Sequence, residues 1–203
     1  LATGTATVAQ GPNSSGSASG FSSSYVYNDP QLTSIEPQAT NDVCILEFDI
    51  VPTCSTLFIK YVFGSEEYPE FVGQYNDAFG FFITGPNGSC SGTPYNNTNV
   101  AVLPNGTPVS INNVNSSTNS SYYVNNSGGT CIQFDGMTVP IISTVAVCPC
   151  ATYHFKIGIA DAIDHGYDSG VFIDMFSCNN PLSATYFVTP SSCSSSGCTG
   201  SAT

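Results

Sequence analysis

Residues 43–50, VCILEFDI, and 57–63, LFIKYVF, decide the fold. In the first, Cys44, Leu46, Phe48 and Ile50 alternate with Glu47 and Asp49, the two-residue period of a strand with one buried face and one wet face. The second is apolar on both faces except at Lys60, which predicts a central strand covered on both sides. Lys60 itself is expected to pair with an acid, or to carry its charge to the surface on its stem. An amide link to an asparagine is a weaker reading for one isolated lysine. Working outward, further short apolar runs fall at 79–84, 99–103, 131–134, 137–147, 151–160, 170–176 and 184–188. Turn sequences punctuate them, among them Gly85-Pro86-Asn87-Gly88 and Pro104-Asn105-Gly106. Pro140 predicts an edge position or a bulge within its run. Residues 112–130 read as a long loop. No segment sustains a helical apolar stripe beyond about two turns. The expectation is all-β: a two-sheet β-sandwich or jelly roll with long loops, little helix and disulfide bridges.

The 203 residues suit one such domain. Residues 1–24 are rich in Gly, Ser, Thr and Ala, which predicts a flexible N-terminal arm, with at most one weak strand at 5–9, that is able to serve as a donor strand. The sandwich is expected over 25–190, and 191–203 read as a Ser-, Cys- and Gly-rich tail. Charge narrows the function. With 14 acidic residues against two lysines and a net charge of −12, the chain cannot neutralise a run of phosphates, so nucleic acid is excluded as a partner. An anionic membrane surface is disfavoured for the same reason. Its apolar runs are too short for a spanning helix.

Nine cysteines, at 44, 54, 90, 131, 148, 150, 178, 193 and 198, are dispersed without a CxxC pair. That pattern reads as disulfides formed outside the cell, with one thiol left over for a free or inter-chain role. Cys44, Cys54, Cys90, Cys131, Cys148, Cys150, Cys178, Cys193 and Cys198 are all bridge candidates. Cys148 and Cys150 are too near in sequence to bond each other easily, and Cys193 with Cys198 would close a small loop. A zinc site from Cys148, Cys150 and His154 fits no common spacing. Seven Asn-x-Ser/Thr triplets, beginning at Asn13, Asn87, Asn96, Asn105, Asn115, Asn119 and Asn125, mark exposed polar loops. Leu1 opens a polar segment without an apolar leader, as expected of a secreted chain whose signal peptide has been removed.

The acids cluster in two places. Glu66, Glu67 and Glu70 are followed by Asn76 and Asp77, while Asp161, Asp164 and Asp168 are followed by Asp174. Both groups lie just past strong strands, where the loops of a sandwich gather. So many carboxylates with so few cations repel one another unless they are solvated or neutralised. Calcium takes six to eight hard oxygens and suits such loops. Glu66, Glu67, Asn76, Asp77, Asp161, Asp164 and Asp168 are therefore the candidate metal ligands, against the plainer alternative of a solvated acidic rim. No organic cofactor is expected. Glu66 or Glu67 with Asp161 would also make an acid pair for a glycosidase, but no Trp is present to stack a sugar. His154 and His165 lack a nucleophile elbow beside them.

Five segments resemble the choice-of-anchor L domain of secreted bacterial surface proteins: 61–72 (YVFGSEEYPEFV), 76–86 (NDAFGFFITGP), 99–115 (NVAVLPNGTPVSINNVN), 133–140 (QFDGMTVP) and 153–174 (YHFKIGIADAIDHGYDSGVFID). The resemblance implies an extracellular, β-rich module with no enzymatic activity established for its relatives. After Cys178 no sorting motif or apolar tail follows in this sequence, so a released form, a fragment, or a protein retained by assembly is expected.

The function expected is therefore a non-enzymatic structural or adhesive protein of the cell surface. It would be stabilised by disulfides and calcium, and its arm could extend a neighbour's sheet and so build a filament. Its partners would be other copies of itself, or cell-surface glycans and proteins. The alternative is a calcium-dependent carbohydrate-binding module using Tyr68, Tyr75 and Tyr167, and an acid-pair glycoside hydrolase comes last.

Overall fold

The computed structural model describes residues 1–20 and 26–178, together with the backbone of 192–194 and 197–199. Two antiparallel sheets face each other. The first runs β1 (Ala39–Ile50), β8 (Tyr153–Ala162), β3 (Ala78–Gly85), β4 (Tyr95–Asn99). The second runs β5 (Tyr123–Asn125), β6 (Gly136–Thr138), β2 (Thr56–Ser65), β7 (Ile141–Ala146), with β9 (Ser169–Ser177) on the other side of β2. The expected all-β sandwich is what forms.

Between the sheets, Leu57, Ile59, Tyr61 and Phe63 of β2 meet Phe79, Phe81 and Ile83 of β3 and Phe155, Ile157 and Ile159 of β8. Ring centroids of Tyr61 and Phe79 lie 5.2 Å apart, and those of Phe81 and Phe155 lie 5.4 Å apart. Such inclined ring pairs add to simple burial. Two disulfides tie this frame. Cys54–Cys178 joins the approach to β2 to the end of β9, and Cys90–Cys148 joins the β3–β4 loop of one sheet to the segment after β7 of the other. In the chain-entropy account, closing loops of this length is worth about 4 to 5 kcal/mol each. Because Cys148 is bridged, the zinc reading with Cys150 and His154 falls. Cys44 is half-buried and Cys150 exposed, both outside the bridges. The side chains of Cys193 and Cys198 lie outside the described residues, although the backbone of two short strands, β10 (Ser192–Ser194) and β11 (Gly197–Thr199), places these positions opposite each other.

Several expectations are corrected. β2 is central in its sheet, but only one face is sealed; Phe58, Lys60 and Val62 face outward and stay half-buried. The strands covered on both sides are β3 and β8. Their outer face, Ala78, Phe82 and Ala160, lies beneath Leu32 and Ile35 of a single helical turn, α1 (Leu32–Ile35). Gly80 and Gly158 pair across this face and make room for it, since a Cβ on Gly158 would stand 3.2 Å from Leu32. Leu46, expected to face inward, is 46% exposed, because β1 is the open edge of its sheet. The run at 99–103 is not a strand. Ala101 and Leu103 plug the core from a loop, and the strand lies earlier, at β4. Residues 131–134 make only a single bridge, Ile132 to Gln10. The run at 137–147 splits at Pro140 into β6 and β7, as proline's missing donor requires. The weak strand at 5–9 is a 3-10 turn, Ala6–Ala9. Residues 184–188 lie outside the described residues, as does the expected tail except for the backbone of β10 and β11. No helix of the described residues is long and apolar enough to cross a membrane.

The largest departure concerns the N-terminal arm. Residues 1–20 are fastened to the body as a strap. Leu1 N donates to Val171 O at 3.1 Å and Val171 N returns a bond to Leu1 O at 2.9 Å, so the strap extends the second sheet at β9. Farther on, Gly11 N bonds Cys131 O and Gln133 N bonds Ala9 O. Polar composition suggests freedom, but the body offers acceptors that satisfy the strap's backbone donors.

Candidate functional site

Antiparallel pairing brings the acids together at one end of the sandwich. The ladder of β3 and β8 pairs Ala78 with Ala160, so Asp77 and Asp161 face each other one step beyond it. The ladder of β2 and β9 pairs Ser65 with Ser169, which sets Glu66 and Glu67 beside Asp168, and Glu66 N bonds Asp168 O at 3.1 Å. Glu66, Glu67, Asp77, Asp161 and Asp168 are all buried, between 0 and 2% exposed. The solvated-rim alternative is therefore wrong for these five.

They divide into two groups by what they touch. One group fastens the strap. Glu66 Oε1 accepts from Ala18 N at 2.9 Å, and Asp168 Oδ2 accepts from Gly20 N at 2.5 Å. Asp135 accepts from the Asn13 amide, and Gln133 accepts from Ser14 N while donating to Ser15 O at 2.6 Å. Burial pushes Glu66 up to about 7, with the Ala18 N–H opposing the shift and the nearby charge of Asp135 adding to it. Burial also raises Asp168, with the Gly20 N–H opposing. Gln133 and Asp135 were not among the expected site residues. Their partners lie about 120 positions away, and no local spacing signals that.

The other group is Glu67, Asp77 and Asp161, with Asp164 at its margin. Asp77 is well satisfied: Ala162 N donates at 3.0 Å and the Ser169 hydroxyl at 2.6 Å. Asp161 is not. Thr3 and Asp77 stand near it, yet neither of its oxygens has a partner in hydrogen-bond geometry, and Glu67 Oε2 is also unpartnered. Burial first, then the charges of Asp77, Asp164 and Glu70, push Glu67 up to about 9. Burial first holds both Asp77 and Asp161 above the usual carboxylate range; the charge of Asp77 adds to the shift at Asp161, while at Asp77 the bonds from Ser169 and Ala162 oppose it. Asp164 accepts from Gly166 N in a tight turn and is only half-buried. Asn76 turns away, binding Glu36 through its amide and accepting from Asn112 N. Among the described residues, no three His, Cys, Asp or Glu side chains already stand around a common point as metal ligands.

Both lysines are engaged elsewhere. Lys60 reaches Asp174 at 2.6 Å, a pair exposed to solvent rather than buried. Lys156, 8% exposed, pairs with the buried Asp29 and donates to Gln31 Oε1 at 2.6 Å. Asp29 in turn accepts from Gln31 N and Leu32 N, both at 3.1 Å, anchoring the start of α1. The Asp-Pro-Gln-Leu sequence is the one local hint of this anchor.

The aromatic residues near the acids separate too. Tyr68 is fully buried and donates to Val114 O at 2.6 Å, so it is withdrawn from any sugar-binding face. Tyr75 and Tyr167 remain half-buried, and both pack edge-on to Phe71. Two surface grooves, one lined by Asn99, Leu103 and Ile142 and another by Pro86, Cys90 and Tyr95, carry no acidic side chain. No curated protein and no solved structure matches the chain. The choice-of-anchor L domain matches over residues 1–179, all of the described sandwich, and the chain belongs to that family of extracellular surface proteins.

Proposed function

We propose that the chain is a non-catalytic structural or adhesive module of the cell surface, with calcium as counter-ion to its inner acids. One observation carries this reading: the acids that sequence would offer to a substrate are taken up inside the fold. Glu66 and Asp168 bind the strap, and Glu67, Asp77 and Asp161 are 0 to 1% exposed. A glycosidase needs its two carboxyls on either side of an open cleft, and these lie beneath a strap.

The strap also supports assembly. It adds to the edge of β9 through backbone hydrogen bonds, with Leu1 packed against the core, and the same contacts made to a neighbouring copy would propagate head to tail. Electron microscopy of purified native protein tests this: filaments are expected, and uniformly monomeric particles would rule assembly out. The second reading, calcium-dependent glycan binding, draws on the Phe71–Tyr75–Tyr167 trio beside Asp164. It predicts chelator-sensitive binding on a glycan array. Hydrolysis of a glycan that survives replacement of Glu67 and of Asp161 would place any activity elsewhere.

A further inference from the structure

We propose that Glu67, Asp77 and Asp161, roofed by the strap at Thr3, form one site for a divalent cation of the calcium type. This deepens the counter-ion role above by separating three ligands from the seven acids and amides that sequence nominates.

Asp161 carries the proposal. It is 0% exposed, and neither of its oxygens meets a donor in hydrogen-bond geometry, with only the Thr3 hydroxyl and the Asp77 carboxyl beside them. Native folds rarely leave such groups unsatisfied, because nothing then offsets their desolvation. Glu67 adds another buried, unpartnered oxygen on the same side. Glu66, which binds the strap through Oε1, also keeps Oε2 unpartnered, but Asp161 alone among these acids lacks a partner at both oxygens.

No side-chain cation of the protein serves this spot, since Lys60 and Lys156 hold Asp174 and Asp29, and His154 and His165 hold Asp49 and Asp42. The donors on offer are hard oxygens only: three carboxylates, with the hydroxyls of Thr3 and Ser169 beside them. That set suits calcium, whose coordination is irregular and oxygen-rich, better than zinc, which takes nitrogen and sulfur. Magnesium fits poorly because it keeps several waters in a strict octahedron, and all three carboxyl residues are buried. As the side chains stand they do not yet surround one point. Glu67, the longest of the three, has the rotatable bonds to close on Asp161. Thr3 binds Ser169 in both directions, through Thr3 N to Ser169 O and Ser169 N to Thr3 Oγ1, both at 3.0 Å. Ser169 in turn binds Asp77, so occupancy of the site would be coupled to strap docking.

The test uses the full chain, stripped with chelator and dialysed at pH 7.5. Added calcium should raise Tm by about 5–10 °C once its concentration is a hundredfold above Kd. Elemental analysis should find about one calcium per chain, and equal magnesium should do much less. Asp161→Asn and Glu67→Gln should abolish the shift while remaining folded, because both are isosteric and remove charge; Asp49→Asn, at an exposed position, should keep it. An unchanged Tm with no retained calcium would overturn the site, as would an equal shift in Asp161→Asn or an equal response to magnesium. Should Asp161→Asn fail to fold, Glu67→Gln decides the question in its place. Imaging in chelator separates this from the structural reading, since filaments that persist there leave assembly standing whatever the calcium titration decides about the site.

Discussion

Two buried electrostatic sites lie on opposite faces of β8, and they are built on opposite plans. At Lys156 a cation and a carboxylate are sealed together, with Gln31 and the first amides of α1 completing the set. At Asp161 carboxyls meet carboxyls, with no side-chain cation among them. The first site neutralises itself. The second needs a proton or an ion from outside, so its stability depends on the medium whereas the first is self-contained.

Breaking the balanced site should cost most. Lys156→Met leaves Asp29 charged and buried, and about 3–5 kcal/mol of unfolding free energy should disappear in urea melts. Adding Asp29→Leu to that variant should recover much of it, since a buried pair is often replaceable by apolar groups; no recovery would mean that Asp29 matters chiefly as the anchor of α1.

The unbalanced site should respond to pH instead. In excess chelator the folded protein holds protons on Glu66 up to about pH 7 and on Glu67 up to about pH 9, while the unfolded chain releases them near 4.5. The folded state therefore binds more protons across that window. The stability these groups contribute is complete below 4.5 and is lost as pH rises, at about 1.4 kcal/mol per unit for each group titrating. Denaturant midpoints at pH 5, 7 and 9 should fall in that order, and a midpoint that climbs with pH would contradict the acid-rich interior.

The strap that covers this end should be sensitive to bulk. A Cβ on Gly4 would come within 1.9 Å of Asp168, so Gly4→Ala should cost about 1–3 kcal/mol and speed limited proteolysis near the N-terminus. The smallest effect belongs to Lys60→Ala. Its partner Asp174 is exposed, and such pairs contribute less than about 1 kcal/mol.

The same contrast explains what could be read from the residues alone. Alternation in 43–50 and the apolar run at 57–63 mark strands that pack on a core, and burial acts locally, so the strands and the sandwich were legible, although the exposure of Leu46 and the half-buried outer face of β2 were not. The acidic end was legible as well, because strand ends in an antiparallel fold converge. The division of labour within it was not. Glu66 and Glu67 are neighbours of one type, yet one binds the strap and the other faces Asp77, and only the path of residues 13–20 tells them apart. Lys156 looks ordinary in its strand because its partner lies 127 positions away. The strap's low apolar content suggests a free arm because composition says nothing about acceptors waiting elsewhere.

The Cys54–Cys178 bridge has a mechanical consequence. A pull applied upstream of Cys54 and downstream of Cys178 passes directly through the sulfur atoms, leaving the chain between them, residues 55–177, slack. Tension would peel β1 from β8 and lift the strap from β9, while the pairing of β2 with β7 and of β3 with β8 stays out of the load path. For a surface protein under shear, the shock absorber would be the first fifty residues: Phe48 would leave its place against Phe155 and Phe176, while the rings of β2, β3 and β8 stay together.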